Sequence, residues 1–171
     1  MEAIWKRIHI WLDANAPTGY GHLRPGASVE AIRAAEDAMG LKLPDDVKGS
    51  YRIHDGQDKE PGLIGGEGWR MFSIQEIVQQ WGRWSRANPE DARFVPIAWG
   101  EARDYVFLNV DPGGEAAVKL MIQRRDGNNP APLELSFRSW LEGFADQLKD
   151  GKFAYSKYEG CLMYTDEIDF D

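Results

Sequence analysis

A single cysteine among 171 residues, Cys161, cannot form an internal disulfide, so the fold does not depend on an oxidising compartment. No apolar run approaches the stretch of about 18 residues that a membrane span needs. The N-terminal stretch MEAIWKRIHIWLDAN is amphipathic and lacks the apolar core of a secretory signal, so the expected location is cytoplasmic, with no membrane partner. Bases are in deficit: 20 Lys and Arg stand against 28 Asp and Glu, a net charge of −8. That balance argues against a nucleic acid and is compatible with a basic protein partner. Histidine is scarce as well. His9, His22 and His54 have no His, Cys or acid at a metal-ligand spacing, so no metal and no cofactor is expected. The chain has no G-x-S-x-G elbow to anchor a hydrolase triad.

What is present suits one domain. Apolar residues make up 43% and aromatic residues 12%, with seven Trp, enough large side chains for one core. Ile4, Ile8, Trp11 and Leu12 recur at helical spacing, and the first fifteen residues read as a helix. Ser28 is a good N-cap for a second helix whose stripe is Val29, Ile32, Ala35 and Met39, with Gly40 as its left-handed terminator. A third helix begins at Pro44-Asp45-Asp46 and is expected to run to Asp55-Gly56. Ser73-Ile74-Gln75-Glu76 is a capping box that opens a fourth, and Ser136 caps a fifth carrying Phe137, Trp140, Leu141, Phe144 and Leu148. Between them lie a short strand candidate at Trp69–Phe72 and three longer ones, Phe94–Trp99, Tyr105–Val110 and Ala117–Gln123. Tyr105–Val110 is apolar on both sides, hence central in the sheet. Turns at Asp111-Pro112-Gly113-Gly114 and Asp126-Gly127-Asn128 make the sheet an antiparallel meander. The expected fold class is α+β, a single domain over residues 1–171 with 152–171 as an acidic C-terminal extension.

No constellation of catalytic residues can be lined up. His9 and His54 read as half-buried helix residues with one hydrogen bond each, and Cys161 as a packed thiol, its acidic neighbour Glu159 being unsuited to activate it. Gly65-Gly66-Glu67-Gly68 lacks the G-K-[ST] of a phosphate loop, and Glu67 would repel a phosphate. The acid pairs at helix ends are adjacent and do not face each other. One charge feature stands out: from Glu159 to Asp171 there are five acids and no base. It reads as a solvated tail or as an acidic edge for a basic partner, and the interspersed Tyr158, Tyr164 and Phe170 favour an ordered surface. The expected partner surface joins Asp55, Asp58, Glu60, Glu67 and Trp69 to Asp166, Glu167 and Asp169, an anionic rim around an aromatic anchor. Trp69 also reads as a core residue on its short strand.

Glu36, Leu43-Pro44-Asp45-Asp46, Tyr51 and Gly56 form the pattern E-x₆-L-P-x-D-x₄-Y-x₄-G, preceded by Leu23-Arg24-Pro25-Gly26 and followed by Phe72-Ser73-Ile74. With these residues the chain resembles the SUKH superfamily, in particular the Smi/Knr-type domain of fungal cell-wall regulators and many bacterial proteins. The later Val95-Pro96-Ile97-Ala98 and the Trp140 helix fit the same family, and the tail after Gly151 departs from it. The resemblance implies helices packed around an antiparallel sheet, no enzyme activity, and a role similar to bacterial immunity proteins that bind and neutralise a cognate toxin. A cationic toxin would be steered to an acidic inhibitor. The alternative it implies is a regulatory interaction module in cell-wall or envelope control. Glu36, Pro44, Tyr51 and Gly56 are read as fold residues, not a catalytic set.

Overall fold

A computed structural model describes residues 1–16, 22–58, 62, 69–100, 104–110, 119–123, 131–156, 158 and 161–165, with only the backbone described at 119 and 134. The described helices are α1 (Glu2–Asn15), α2 (Val29–Met39), α3 (Asp45–Tyr51), α4 (Ile74–Ala87) and α5 (Phe137–Lys149). Strands β1 (Arg70–Met71), β2 (Phe94–Trp99), β3 (Tyr105–Asn109), β4 (Lys119–Gln123) and β5 (Ala131–Ser136) pair in chain order, each antiparallel to the next. The fold is α+β with a meander, and β3 is its middle strand. None of the described helices is long and apolar enough to cross a membrane.

Helix boundaries follow the capping chemistry. The Ser28 hydroxyl accepts from Ala31 N–H, Ser136 from Ser139 N–H, and Ser73 and Glu76 complete the reciprocal capping box of α4. Gly40 terminates α2 at φ 66° and Gly151 follows α5 at φ 69°, the left-handed conformation that favours glycine. The third helix is shorter than expected. It ends at Tyr51, because Ile53 and His54 N–H both turn back onto the Ser50 carbonyl and the chain leaves the helix axis.

Alternation along β3 divides the apolar groups into two clusters. Val106 and Leu108 join the main core with residues of all five helices, while Phe107 packs with Phe94 and Met121 in a second cluster against Trp84. Pro96 sits within β2 but beyond the two residues of β1, so its missing N–H leaves no ladder partner unmet on that side, and the β2–β3 register shifts between Pro96 and Ala98. Helix α1 is tied down by a buried bond from Trp5 Nε1 to Ser50 Oγ at 2.8 Å and by an ion pair between Arg7 and Asp146.

Three strands were not expected from the sequence. Strand β5 contains Pro132, which hides it, and its pairing with β4 is irregular between Lys119 and Met121. Beyond α5, β6 (Phe153–Ser156) and β7 (Cys161–Tyr164) form an antiparallel hairpin. Phe153 and Leu162 are buried in the main core, and the Phe153 ring lies 5.9 Å from that of Phe144. The first part of the segment read as an acidic extension is therefore packed onto α5. Residues 166–171 lie outside the described residues.

Candidate functional site

The expected partner surface does not form around Trp69. That side chain is only 4% exposed, and its ring lies beneath Gly100, where a Cβ would stand 2.9 Å from it. Trp69 is a core residue and not an exposed anchor. Asp55 Oδ1 accepts from Ile74 N–H at 2.6 Å, so this carboxylate caps α4 from outside the helix. Asp58 is half-exposed and stands 3.7 Å from His22 Nδ1. Glu60, Glu67, Asp166, Glu167 and Asp169 lie outside the described residues.

The residues of the E-x₆-L-P pattern hold the fold, each by a specific contact. Glu36 is 7% exposed, its Oε1 accepts from Leu43 N–H at 2.8 Å, and its Oε2 accepts from Lys42 Nζ at 3.2 Å. This carboxylate fixes the α2–α3 connection just before Pro44. Tyr51 is fully buried, its hydroxyl has no partner among the described residues, and burial, with Asp55 and Glu76 nearby, pushes its pKa far up. Gly56 has φ 69°, and a Cβ there would lie 2.5 Å from the Phe72 carbonyl. None of these groups is available to a substrate.

Two histidines form a cluster that sequence spacing could not reveal. His54 lies in the turn after α3, not on a helix, and its Nε2 meets His9 Nε2 of α1 at 2.6 Å. His54 Nδ1 is 2.9 Å from the Arg24 carbonyl, which can only accept, so the hydrogen is assigned to Nδ1 and the Nε2 lone pair faces His9. His9 then donates its Nε2–H. Trp5 packs edge-on against His54 with ring centroids 4.7 Å apart. Burial first, then His54, lowers the His9 pKa against a small opposing effect of Asp13. Burial likewise lowers that of His54, opposed by its bond to the Arg24 carbonyl. Nothing in a 45-residue separation announces such a contact. Among the described residues no group of three or more His, Cys, Asp or Glu side chains is placed to hold a metal ion.

The described residues form a cleft of about 410 Å³ between the C-terminal half of α4 and the sheet face formed by β2, β3 and β4. Trp84, Tyr105, Phe107 and Pro96 form its apolar floor, and Gln80, Arg83, Asn88 and Gln123 its polar rim. The floor is held rigidly. The Trp84 ring packs 4.8 Å from Phe107, and its Nε1 donates to the Asp91 carbonyl at 3.1 Å, while Trp81 Nε1 donates to the Ala92 carbonyl at 2.7 Å. Arg83 is the only charged residue lining the cleft among those described. Aromatic walls with a few convergent polar groups are the usual makeup of a recognition site. The sequence signal for it was the second apolar face of Tyr105–Val110 facing a tryptophan on α4.

Comparison with known proteins agrees with this architecture. Relatives include the glucan synthesis regulatory protein of Neurospora crassa, 30% identical over 89 residues that make up 50% of this chain and 16% of the relative. The KNR4/SMI1 homolog of Yarrowia lipolytica is 29% identical over 115 residues, 64% of this chain and 16% of that protein. F-box only protein 3 of Mus musculus is 42% identical over 62 residues, 36% of this chain and 13% of that protein. The chain thus spans less than a fifth of each of these relatives. The model of the SMI1 / KNR4 family (SUKH-1) matches residues 26–143, from the Gly26 approach to α2 to the middle of α5, and the chain belongs to that family.

Proposed function

We propose that the chain is a non-enzymatic, cytoplasmic protein-interaction domain with a regulatory role in cell-wall or envelope assembly. The observation that carries this reading is its similarity to proteins named as regulators of glucan synthesis and of cell-wall assembly. Similarity to an F-box protein as well fits a module that works inside otherwise different larger proteins. The chemistry of the described residues supports it: Glu36, Asp55, Glu76 and the His9–His54 pair are each committed to holding backbone or one another. The test is deletion of the gene in its own organism, followed by growth on compounds that inhibit wall synthesis. Altered sensitivity, restored by the wild-type chain, is expected. Unaltered sensitivity refutes the wall-regulation reading.

The net charge of −8 favours a second reading, that of an immunity-type inhibitor of a basic toxin. In that case Asp58, Glu60, Glu67, Asp166, Glu167 and Asp169 form the anionic rim that steers the toxin. Co-expression with the product of an adjacent toxin gene tests it, and reversal of Asp166, Glu167 and Asp169 to Lys is expected to slow association at low salt. An unchanged on-rate reduces those acids to a solubilising end.

A further inference from the structure

We infer that the cleft between α4 and β2–β4 receives an extended segment of a partner protein in which a carboxylate side chain flanks a proline or aliphatic residue. The inference rests on the protein-interaction reading above and names the chemistry of the partner. The first argument is charge. Although the chain carries −8, Arg83 at the cleft has no acidic partner among the described residues, whereas Arg70 on β1 and Arg93 just before β2 are matched by Glu76 at 3.0 Å and Asp91 at 3.3 Å. An unmatched guanidinium above an apolar floor is complementary to a carboxylate, which it binds in bidentate fashion.

The second argument is the floor. The indole N–H of Trp84 is already donated to the Asp91 carbonyl, so the ring offers the cleft only apolar surface, continued by the half-buried Tyr105. Flat aromatic walls of this kind suit a proline or aliphatic side chain on an extended backbone, which loses little entropy on docking. The third is the walls. Gln80 on α4 and Gln123 on β4 face the cleft from opposite sides, and neither amide is bonded to another described residue. Each carries a donor and an acceptor, the pair that a peptide group requires. Arginine on the rim, aromatic rings below and amides on both sides select a peptide over a nucleic acid, whose phosphates the net charge repels over the roughly 10 Å Debye distance.

The test is selection of a phage-displayed random heptapeptide library on the full chain, with the recovered peptides titrated by calorimetry against wild type, Arg83→Glu and Arg33→Glu. Arg33 lies exposed on α2 and does not line the cleft, and its reversal makes the same change in net charge. Expected is enrichment of Asp or Glu beside Pro, Leu, Ile or Val, about tenfold weaker binding to Arg83→Glu, and little change with Arg33→Glu. Replacing the peptide's acid by Lys is expected to weaken binding to wild type and to restore binding to Arg83→Glu. A urea transition for each variant verifies folding, and Arg83→Gln stands in should the reversal fail to fold. Recovery of no peptide above bare support, peptides without acids, or equal losses in the two arginine variants overturn the inference. A negative selection alongside an altered wall phenotype leaves the regulatory reading standing, and a positive selection without that phenotype leaves the cleft standing.

Discussion

The His9–His54 contact makes the stability of the domain depend on pH in a window that its carboxylates do not reach. Both rings are held neutral by burial, with His54 further lowering His9. A proton on His9 Nδ1 lies outside the contact and preserves the Nε2–H···Nε2 bond at 2.6 Å, whereas a proton on His54 Nε2 removes the acceptor. The two therefore titrate as a coupled pair. The unfolded chain takes up its protons near the ordinary histidine pKa of about 6.5, and the folded chain only below it. Between those values the unfolded state binds more protons, so stability rises with pH and is lost as pH falls from neutrality, levelling off below the folded values. One proton taken up by the unfolded state alone is worth about 1.4 kcal/mol per pH unit. Because both rings are half-exposed, solvent screens much of this, and the pair should contribute about 1 kcal/mol between pH 7 and 5. Urea transitions of wild type and His9→Gln at several pH values in that range provide the measurement. Glutamine retains the N–H donor to His54 but cannot titrate, so the difference between the two curves isolates the His9 share from that of His54 and of the acids. With a slope of about 2 kcal/mol per M and His9 supplying about half of the pair's contribution, the wild-type midpoint should fall about 0.25 M further than that of the variant. Equal losses in both proteins would refute the coupling.

Other perturbations test the groups that hold the fold. Glu36→Ala leaves the buried Leu43 N–H without its acceptor and should cost about 2–3 kcal/mol by urea denaturation, with Glu36→Gln losing less because its amide oxygen still accepts. Asp55→Ala should lower stability by about 1 kcal/mol through the lost cap on Ile74 N–H, and Asp55→Asn by a few tenths. A Cβ at Gly26 would stand 1.9 Å from the Arg52 carbonyl oxygen, so Gly26→Ala should cost about 1–3 kcal/mol, seen as a lower thermal midpoint. Trp140 is 8% exposed on α5, and its truncation to Ala should cost about 3–5 kcal/mol; an unchanged urea midpoint would place it outside the core.

The sequence by itself determined the elements whose causes are local. Apolar residues at helical spacing, the hydroxyl caps Ser28, Ser73 and Ser136, and the glycine stops Gly40 and Gly151 act within one or two turns, so α1, α2, α4 and α5 were legible to within a residue or two. Apolar residues on both sides of β3 placed it in the middle of a meander, and the E-x₆-L-P pattern carried the family. Elements whose stability comes from packing were not legible. Strand β5 exists despite Pro132 because β4 lies beside it, and the β6–β7 hairpin because Phe153 and Leu162 find the main core. Tertiary structure alone decided what the polar side chains do. Asp55 became a helix cap and Trp69 a core residue, because the turn after α3 brings the first to α4 and the sheet covers the second. His9 met His54, and Arg83 came to overlook an aromatic floor, through chain crossings far from either residue in sequence. Spacing along a chain encodes the face a residue occupies on its own element, and contact with another element depends on how the core closes.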